Sequence, residues 1–356
     1  MKNLKYYFFY LIYLFIVSII LIEIILRFLP TQEVFKLQIV TPENPIIRYE
    51  PNKEATFSLG WNFYQITKKK TNNYGYVASK NYSKNAEPDV MVIGDSFVEA
   101  MQVDNKETFF QIIEQLDTSL NVYAMGISGV PLSQYIKFIE FAEKEFSPKE
   151  YIIVVISNDF DESLCSYKQK QGTYCFDKNF ELKLIPFDGY SLKRNLARNS
   201  AFIRYLILNL KIDWRFVISK LGILEHDIPP EYVGNTERKK SLEIEDLSFK
   251  VIDEFLSRIS SIVRNKKITL IIAAHTIDIY TGRNYTERDT TASYFYKMRE
   301  YLKRNAKIKG LNVIDMRPIF EQHFNKFGQT FDFPIDGHWN ELGHELAAKA
   351  YLKINY

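Results

Sequence analysis

Five short apolar runs alternate with amphipathic stretches through the middle and the end of the chain. The runs cover residues 90–93, 122–125, 151–156, 268–274 and 311–316. Apolar residues spaced three and four apart predict helices over 108–115, 132–146, 246–264 and 293–307. A repeated strand–helix–strand order is typical of a parallel sheet with helices on both faces. The pattern therefore predicts an α/β domain with three layers, α/β/α.

The spacing of the runs breaks once, between the third and the fourth. Residues from about 160 to 245 form a long insertion, in which the pattern predicts a hairpin at 176–186, an amphipathic helix at 201–220 and a surface loop at 226–240. Ahead of the first run, residues 31–87 mix Pro, Asn, Lys and aromatic residues and predict an accessory lead-in with a turn at 72–75. Open parallel sheets place ligands at the carboxyl ends of their strands, where we expect both segments to shape a site.

The chain begins with an apolar segment, Tyr6–Leu26, which contains a single charged residue, Glu23. A helix of this length crosses about 30 Å of hydrocarbon at about 1.5 Å per residue, so residues 1–30 predict a single-pass transmembrane anchor. Lysines precede the segment and Arg27 follows it, a modest bias that favours a cytoplasmic amino terminus and places the remaining chain outside the cytoplasm. A cleaved signal peptide is the alternative.

Composition narrows the class of protein and its partners. Of 356 residues, 46% are hydrophobic, enough for a substantial core. The 46 Lys and Arg nearly balance the 43 Asp and Glu, and neither sign forms a long stripe, which argues against a nucleic acid partner. No protein partner can be inferred from these features.

The two cysteines, Cys165 and Cys175, lie on either side of Gly172. A small looped hairpin could close this spacing, and outside the cytoplasm we expect the two thiols to pair. Two unrelated free thiols are the alternative, and the spacing excludes a zinc site of the CxxC type.

The first apolar run ends at Gly94-Asp95-Ser96-Phe97, a pattern that predicts a buried strand followed by a sharp turn that presents Ser96. Serine becomes a useful nucleophile only when a base takes its proton, and acyl transfer also requires donors for the oxyanion. Far downstream, Asp336-Gly337-His338 supplies an imidazole and a carboxylate.

The second and third runs end in residues that fit the role of oxyanion donors. Gly129 follows the second run, and a glycine lets backbone N–H groups approach a ligand closely. Asn158 follows the third run and offers a side-chain amide at the sheet edge that carries Ser96. Taken singly, Gly129 fits a turn and Asn158 a helix cap. Together, each at a strand end, they favour a functional site.

In these residues the chain resembles the SGNH, or GDSL, hydrolase superfamily, over residues 88–356. The resemblance implies a flavodoxin-like parallel sheet and no metal or organic cofactor. It implies that Ser96 is the nucleophile, that His338 acts as base and then as acid, and that the acid Asp336 orients His338. It also implies that the N–H groups of Ser96 and Gly129, together with the Asn158 amide, form the oxyanion hole. The amino-terminal anchor and lead-in are similar to those of membrane-attached bacterial members. The Asp-x-His spacing differs from the usual Asp-x-x-His and is also met in relatives that acetylate polysaccharides.

The resemblance implies a membrane-tethered, extracytoplasmic serine esterase acting on acyl esters, including acylated envelope glycans. One alternative is an O-acyltransferase for cell-surface polysaccharide, which would use the same residues. The other is a non-catalytic glycan-binding or assembly protein.

Other polar residues near the predicted strand ends have simpler interpretations. We expect His344 to pack within the last helix. Asp159, Asp161 and Glu162 predict a solvated acidic loop in preference to a cation site.

Overall fold

A computed structural model describes residues 2–212, 232–233, 236–237, 239–282, 293–334 and 336–353. The strands are β1 (Glu54–Leu59), β2 (Gln65–Lys70), β3 (Val90–Gly94), β4 (Val122–Gly126), β5 (Glu150–Val155), β6 (Tyr174–Phe176), β7 (Leu182–Leu184), β8 (Tyr232–Val233), β9 (Thr236–Glu237), β10 (Lys267–Ile272), β11 (Asn312–Asp315), β12 (Asp332–Phe333) and β13 (Asp336–Trp339). The helices are α1 (Lys2–Arg27), α2 (Ser96–Glu99), α3 (Phe109–Leu116), α4 (Leu132–Glu145), α5 (Leu192–Asn199), α6 (Ala201–Arg204), α7 (Leu242–Ile262), α8 (Thr276–Tyr280), α9 (Tyr294–Ile308), α10 (Met316–Phe327) and α11 (Glu341–Leu352).

The main sheet contains five parallel strands in the order β11-β10-β5-β3-β4. Counted in chain order, these strands are arranged 2-1-3-4-5, the flavodoxin-like order of a doubly wound sheet. The five predicted strands and the four predicted helices between them are confirmed, with ends that differ by only a few residues.

Helices cover both faces of the sheet, as the three-layer prediction requires. On one face α4 and α9 both contact α7, while α4 packs on β3 and α9 on β11. On the other face α3 contacts α11, and α10 contacts α8 and α11. The apolar cluster of that second face includes the buried rings of Phe109, Phe320 and Trp339. Burial of one such side chain contributes about 1.5–3 kcal/mol, so this cluster anchors the last strand and helix firmly.

A close approach of α2 to the strand ends distinguishes the carboxyl edge of the sheet. Gly94 on β3 and Gly126 on β4 are register partners. A Cβ on Gly94 would lie 2.4 Å from Val98 Cγ2, and a Cβ on Gly126 would lie 2.4 Å from the Glu99 backbone nitrogen. Because glycine has no Cβ, α2 can lie directly over both strands.

The insertion between β5 and β10 is built on a hairpin and a disulfide. Strands β6 and β7 pair antiparallel, close to the predicted hairpin. Cys165 and Cys175 are disulfide-bonded with their Cα atoms 5.1 Å apart, which confirms the expected pairing. Of the helix predicted at 201–220, the structure shows α6 and a π-helical turn, Tyr205–Asn209; residues 210–212 are not helical, and 213–220 lie outside the described residues. Most of the loop predicted at 226–240 also lies outside them.

The chain forms two compact units, and the lead-in contributes segments to both. The described part of the first unit comprises residues 2–36, 54–69 and 189–212. The second contains 37–53, 70–188 and the described part of 229–356, and therefore the whole five-stranded sheet.

The first unit contains the one described helix that is long and apolar enough to cross a membrane, Tyr6–Arg27. The length and composition of this helix fit both a membrane anchor and a signal sequence. Near the end of this helix, Glu23 accepts hydrogen bonds from Ser200 Oγ at 2.9 Å and from the backbone N–H groups of Ala201 and Phe202 at 3.1 and 2.9 Å. The carboxylate therefore caps α6.

The close contact between Gly126 and α2 predicts how an added methyl group at residue 126 affects stability. Gly126→Ala places a Cβ 2.4 Å from the Glu99 nitrogen and 2.7 Å from the Val98 carbonyl carbon. Since backbone atoms cannot rotate away as a side chain can, we expect a loss of about 1–3 kcal/mol of stability, measured by urea unfolding. Gly337→Ala is the control, because nothing lies within 4 Å of its added Cβ. Equal stability of the two variants would disprove the close contact.

Candidate active site

Ser96 is the first residue of α2 and lies directly beyond the end of β3. Asp95 caps this short helix, since its Oδ1 accepts a hydrogen bond from the Phe97 N–H at 3.0 Å. Its Oδ2 accepts the Ser96 hydroxyl at 3.0 Å. Both residues are buried, with Ser96 only 8% exposed. The Ser96 hydroxyl is therefore hydrogen-bonded within its own turn, to the residue before it.

The Asp95 carboxyl is buried at this turn. Burial raises its pKa, while the Phe97 N–H, the charge of His338 and the Ser96 hydroxyl act in the opposite direction. Asp95 thus contacts both the nearby backbone and the Ser96 hydroxyl.

Asp336 and His338 lie two residues apart on β13, so their side chains project from the same face of the strand. His338 Nδ1 is hydrogen-bonded to Asp336 Oδ1, which also accepts the His338 backbone N–H at 3.1 Å. The Asp-x-His spacing is therefore compatible with a direct pair, because extended backbone aligns alternate residues. With Nδ1 facing the carboxylate, Nε2 occupies the far edge of the imidazole ring.

Aromatic packing fixes the His338 ring beside α2. The His338 and Phe97 ring centroids lie 5.0 Å apart, and Phe97 directly follows Ser96. Trp339, the next residue on β13, packs edge-on against Phe97 with centroids 5.2 Å apart. Trp339 is almost fully buried, so its core contacts hold β13 where His338 meets the helix that begins at Ser96.

Gly129 and Asn158 follow β4 and β5, the two strands that flank β3. Gly129 has a φ of +67°, a conformation that favours glycine. Within the described residues its N–H donates no hydrogen bond. Asn158 is buried, and its Nδ2 donates to Glu162 Oε2 at 3.1 Å. The serine turn, Gly129 and Asn158 thus come from three adjacent strand ends.

Glu99 is a buried residue of this edge that the sequence analysis missed. Its Oε2 accepts the Ser128 N–H at 2.6 Å and the Ser128 hydroxyl, and its Oε1 accepts the Tyr49 hydroxyl at 2.9 Å. Burial raises the pKa of Glu99, whereas these donors and the charge of Lys170 lower it. Its place one helical turn after Ser96 was the available signal. The carboxylate ties α2 to the loop that carries Gly129.

Lys170 is the second residue that the sequence analysis missed. It lies on the loop that the disulfide closes, and its Nζ donates to the Ser128 carbonyl oxygen. Burial lowers its pKa, opposed by the charges of Glu99 and Glu162. Nothing in its sequence context indicated this contact.

The acidic residues after β5 correct one expectation. Asp159 and Asp161 are 0% and 1% exposed, so the prediction of a solvated loop was wrong for both. Asp159 accepts the Tyr135 hydroxyl at 3.1 Å and the Ile156 N–H at 2.8 Å, and burial raises its pKa well above the ordinary value. Asp161 forms an ion pair of 3.0 Å with Lys240. Internal donors replace water, which is what permits burial of these carboxylates.

Two further observations concern metal binding and His344. Among the described residues, no group of three or more His, Cys, Asp or Glu could hold a metal ion. His344 is buried, stacks on Phe109 with centroids 6.1 Å apart and accepts the Phe109 N–H at 3.3 Å through Nδ1. Its predicted packing role is confirmed.

No family model and no curated protein matches the chain. Among solved structures, the chain is similar to a member of the lipolytic protein G-D-S-L family from Veillonella parvula, with 15% identity, 74% of this chain and 96% of that chain covered, and a TM-score of 0.39. It is similar to an α/β hydrolase enzyme from the metagenome of Lake Arreo, with 14% identity, 77% and 99% coverage and a TM-score of 0.41. It is also similar to an acetyl xylan esterase, with 13% identity, 75% and 100% coverage and a TM-score of 0.37. All three scores lie below 0.5, so these likenesses carry no inference about what the chain does.

Proposed function

We propose that the chain is a serine ester hydrolase that cleaves acyl esters through an acyl-enzyme intermediate. The observation that carries this proposal is the Asp336–His338 pair beside the helix that begins at Ser96. A hydroxyl, an imidazole and a carboxylate, here with the Asp336 side chain 8% exposed, are the components of nucleophilic acyl transfer. The Gly129 N–H at the same sheet edge, which donates no hydrogen bond to any residue that the structure describes, adds a donor for the oxyanion.

In the proposed reaction the Ser96 hydroxyl leaves Asp95 and turns to His338. Nε2 takes the hydroxyl proton as Oγ bonds to the acyl carbon, and Asp336 stabilises the imidazolium through Nδ1. The carbonyl oxygen becomes negative and accepts hydrogen bonds from the N–H groups of Ser96 and Gly129 and from the Asn158 amide. The tetrahedral intermediate collapses, and the departing alkoxide takes the proton from Nε2. Water then attacks acyl-Ser96 with His338 as base, which releases the acid and restores the hydroxyl.

We further propose that the enzyme is tethered to a membrane and acts outside the cytoplasm, on ester-linked acyl groups that include those of envelope glycans. The apolar helix Tyr6–Arg27 supports the tether. The Cys165–Cys175 disulfide supports an oxidising compartment, because reducing conditions in the cytoplasm keep most thiols free.

Removal of the nucleophile gives the direct test of the reaction. Ser96→Ala should abolish hydrolysis of a nitrophenyl acetate and labelling by a fluorophosphonate, because no hydroxyl remains for the covalent step. Thermal unfolding should change little. Ser119→Ala, which removes an exposed hydroxyl, is the matched control. Turnover by Ser96→Ala equal to that of the control would refute the assignment.

The Asp336–His338 pair predicts both a rate effect and a pH profile. Asp336→Asn should reduce kcat by about 10³–10⁴, since the amide cannot hold Nδ1–H in the productive tautomer. In the wild type, kcat/KM should fall at acidic pH, because protonation of the imidazole removes its function as base. A loss below about tenfold would mean that another acid orients His338, and a rate that stays flat down to about pH 4 would exclude a histidine base.

The proposed placement is tested by topology. A reporter that is active only outside the cytoplasm, fused to the carboxyl terminus, should be active, and Cys165 and Cys175 should resist thiol labelling in intact membranes until they are reduced. Alkaline extraction should leave the chain in the membrane fraction. An inactive reporter with freely labelled cysteines would place the domain in the cytoplasm, and release on extraction would point to a cleaved signal peptide.

A further inference from the structure

The peptide unit between Ser128 and Gly129 is held on its carbonyl side. Lys170 Nζ donates to the Ser128 oxygen, and a Cβ added to Gly129 would lie 3.4 Å from the same ammonium. The preceding peptide is held as well, because the Ser128 N–H donates to Glu99 at 2.6 Å. The loop is thus clamped between a carboxylate on α2 and an ammonium on the disulfide loop.

The orientation of this peptide decides where the Gly129 N–H points. A trans peptide is planar, with its C=O and N–H directed to opposite sides. A carbonyl fixed toward Lys170 therefore directs the Gly129 N–H away from Lys170. Gly129 has a φ of +67°, and a glycine changes backbone conformation at little cost, so an external contact is needed to select one orientation.

The backbone that carries Lys170 is itself fixed. Lys170 lies midway between Cys165 and Cys175, which the disulfide joins. Its carbonyl accepts the Thr173 hydroxyl at 2.7 Å and the Thr173 N–H at 3.3 Å. The next residue, Tyr174, donates its N–H to Gln134 on α4 at 3.0 Å. The insertion therefore presents the ammonium from a braced position.

We propose that Lys170 is a positioning residue for the oxyanion hole, whose ammonium holds the Ser128–Gly129 peptide so that its N–H faces the reacting carbonyl oxygen. The inference rests on the proposed hydrolase function, and it gives the insertion a part in the reaction. A charged donor on the carbonyl also polarises the peptide and makes its N–H a stronger donor. Lys170 does not touch the substrate and acts through Gly129.

The charges around Lys170 set the pH range of this effect. Glu99, Glu162 and Asp95 favour the ammonium form, while Lys168 disfavours it. Burial lowers the pKa of Lys170 from its ordinary value, so the ammonium is lost at a lower pH than that of an exposed lysine. As the proton leaves, the clamp weakens and kcat should fall.

The test compares Lys170→Met, Lys170→Arg and the control Lys178→Met in the purified full-length chain. Lys178 is an exposed lysine of the same insertion. Loss of one oxyanion donor reduces kcat by about 10²–10³, and we expect Lys170→Met to lose about 10- to 100-fold in kcat with KM changed by less than about threefold. Lys170→Arg should retain most activity, and Lys178→Met should match the wild type.

The pH profile separates positioning from a merely structural role. The alkaline fall in kcat should be present in the wild type, absent from the residual activity of Lys170→Met and displaced to higher pH in Lys170→Arg, because guanidinium stays charged. Thermal unfolding of each variant controls for folding. An active wild type with kcat unchanged in Lys170→Met, or an alkaline limb that persists in that variant, would overturn the role of Lys170.

A separate readout distinguishes failure of this proposal from failure of the hydrolase function. An inactive wild type would refute the hydrolase, whereas the ¹⁵N resonance of the Gly129 amide reports the clamp directly. In glycine-labelled protein that resonance should move on alkaline titration in the wild type and stay in place in Lys170→Met. An unmoved resonance in the wild type would overturn the clamp whatever the activity.

Discussion

The close approach of α2 to the ends of β3 and β4 is the constraint on which the candidate site depends. Gly94 and Gly126 stand side by side across the two strands, and neither could carry a Cβ without a collision with α2. This contact places Ser96 at the sheet edge and brings Glu99 within reach of the loop after β4. A larger residue at either glycine would move the helix and separate the serine turn from the loop that carries Gly129.

Buried carboxylates play a structural part around the site that differs from the role proposed for Asp336. Asp95 caps α2, Glu99 joins α2 to Ser128, and Asp159 is held by Tyr135 and the Ile156 N–H. Removing a carboxyl group from water is costly unless hydrogen bonds replace those to water, and each of these three groups accepts at least two. Such groups are satisfied only in one arrangement, so they favour a single geometry for the loops that follow β4 and β5.

The insertion and the last strand each support residues of the candidate site. The disulfide loop braces Lys170 against the Ser128 carbonyl, while Trp339 anchors β13 in the core and holds His338 beside Phe97. Both contacts use rigid elements, a covalent crosslink in one case and a buried indole in the other. Precise placement of a reacting group depends on this kind of support, because small displacements weaken transition-state contacts strongly.

Local pattern in the sequence was enough to determine the five strands, the four intervening helices and the order in which polar residues follow the strand ends. It succeeded because a strand buried on both faces is apolar throughout and each helix carries an amphipathic period, features that neighbouring residues alone reveal. The same logic placed Ser96, Gly129 and Asn158 at one edge, since parallel strands share that edge.

Only the tertiary structure decided which charged residues are buried and what they contact. The sequence pattern predicted that Asp159 and Asp161 are solvated. In the fold, the Tyr135 hydroxyl donates a hydrogen bond to Asp159, and Lys240 forms an ion pair with Asp161, both from distant segments. Glu99 and Lys170 meet at Ser128 across 71 residues of chain, a distance at which sequence periodicity carries no information. The direct Asp336–His338 contact was likewise decided by the extended backbone of β13, because the two-residue spacing permits a pair only in that conformation.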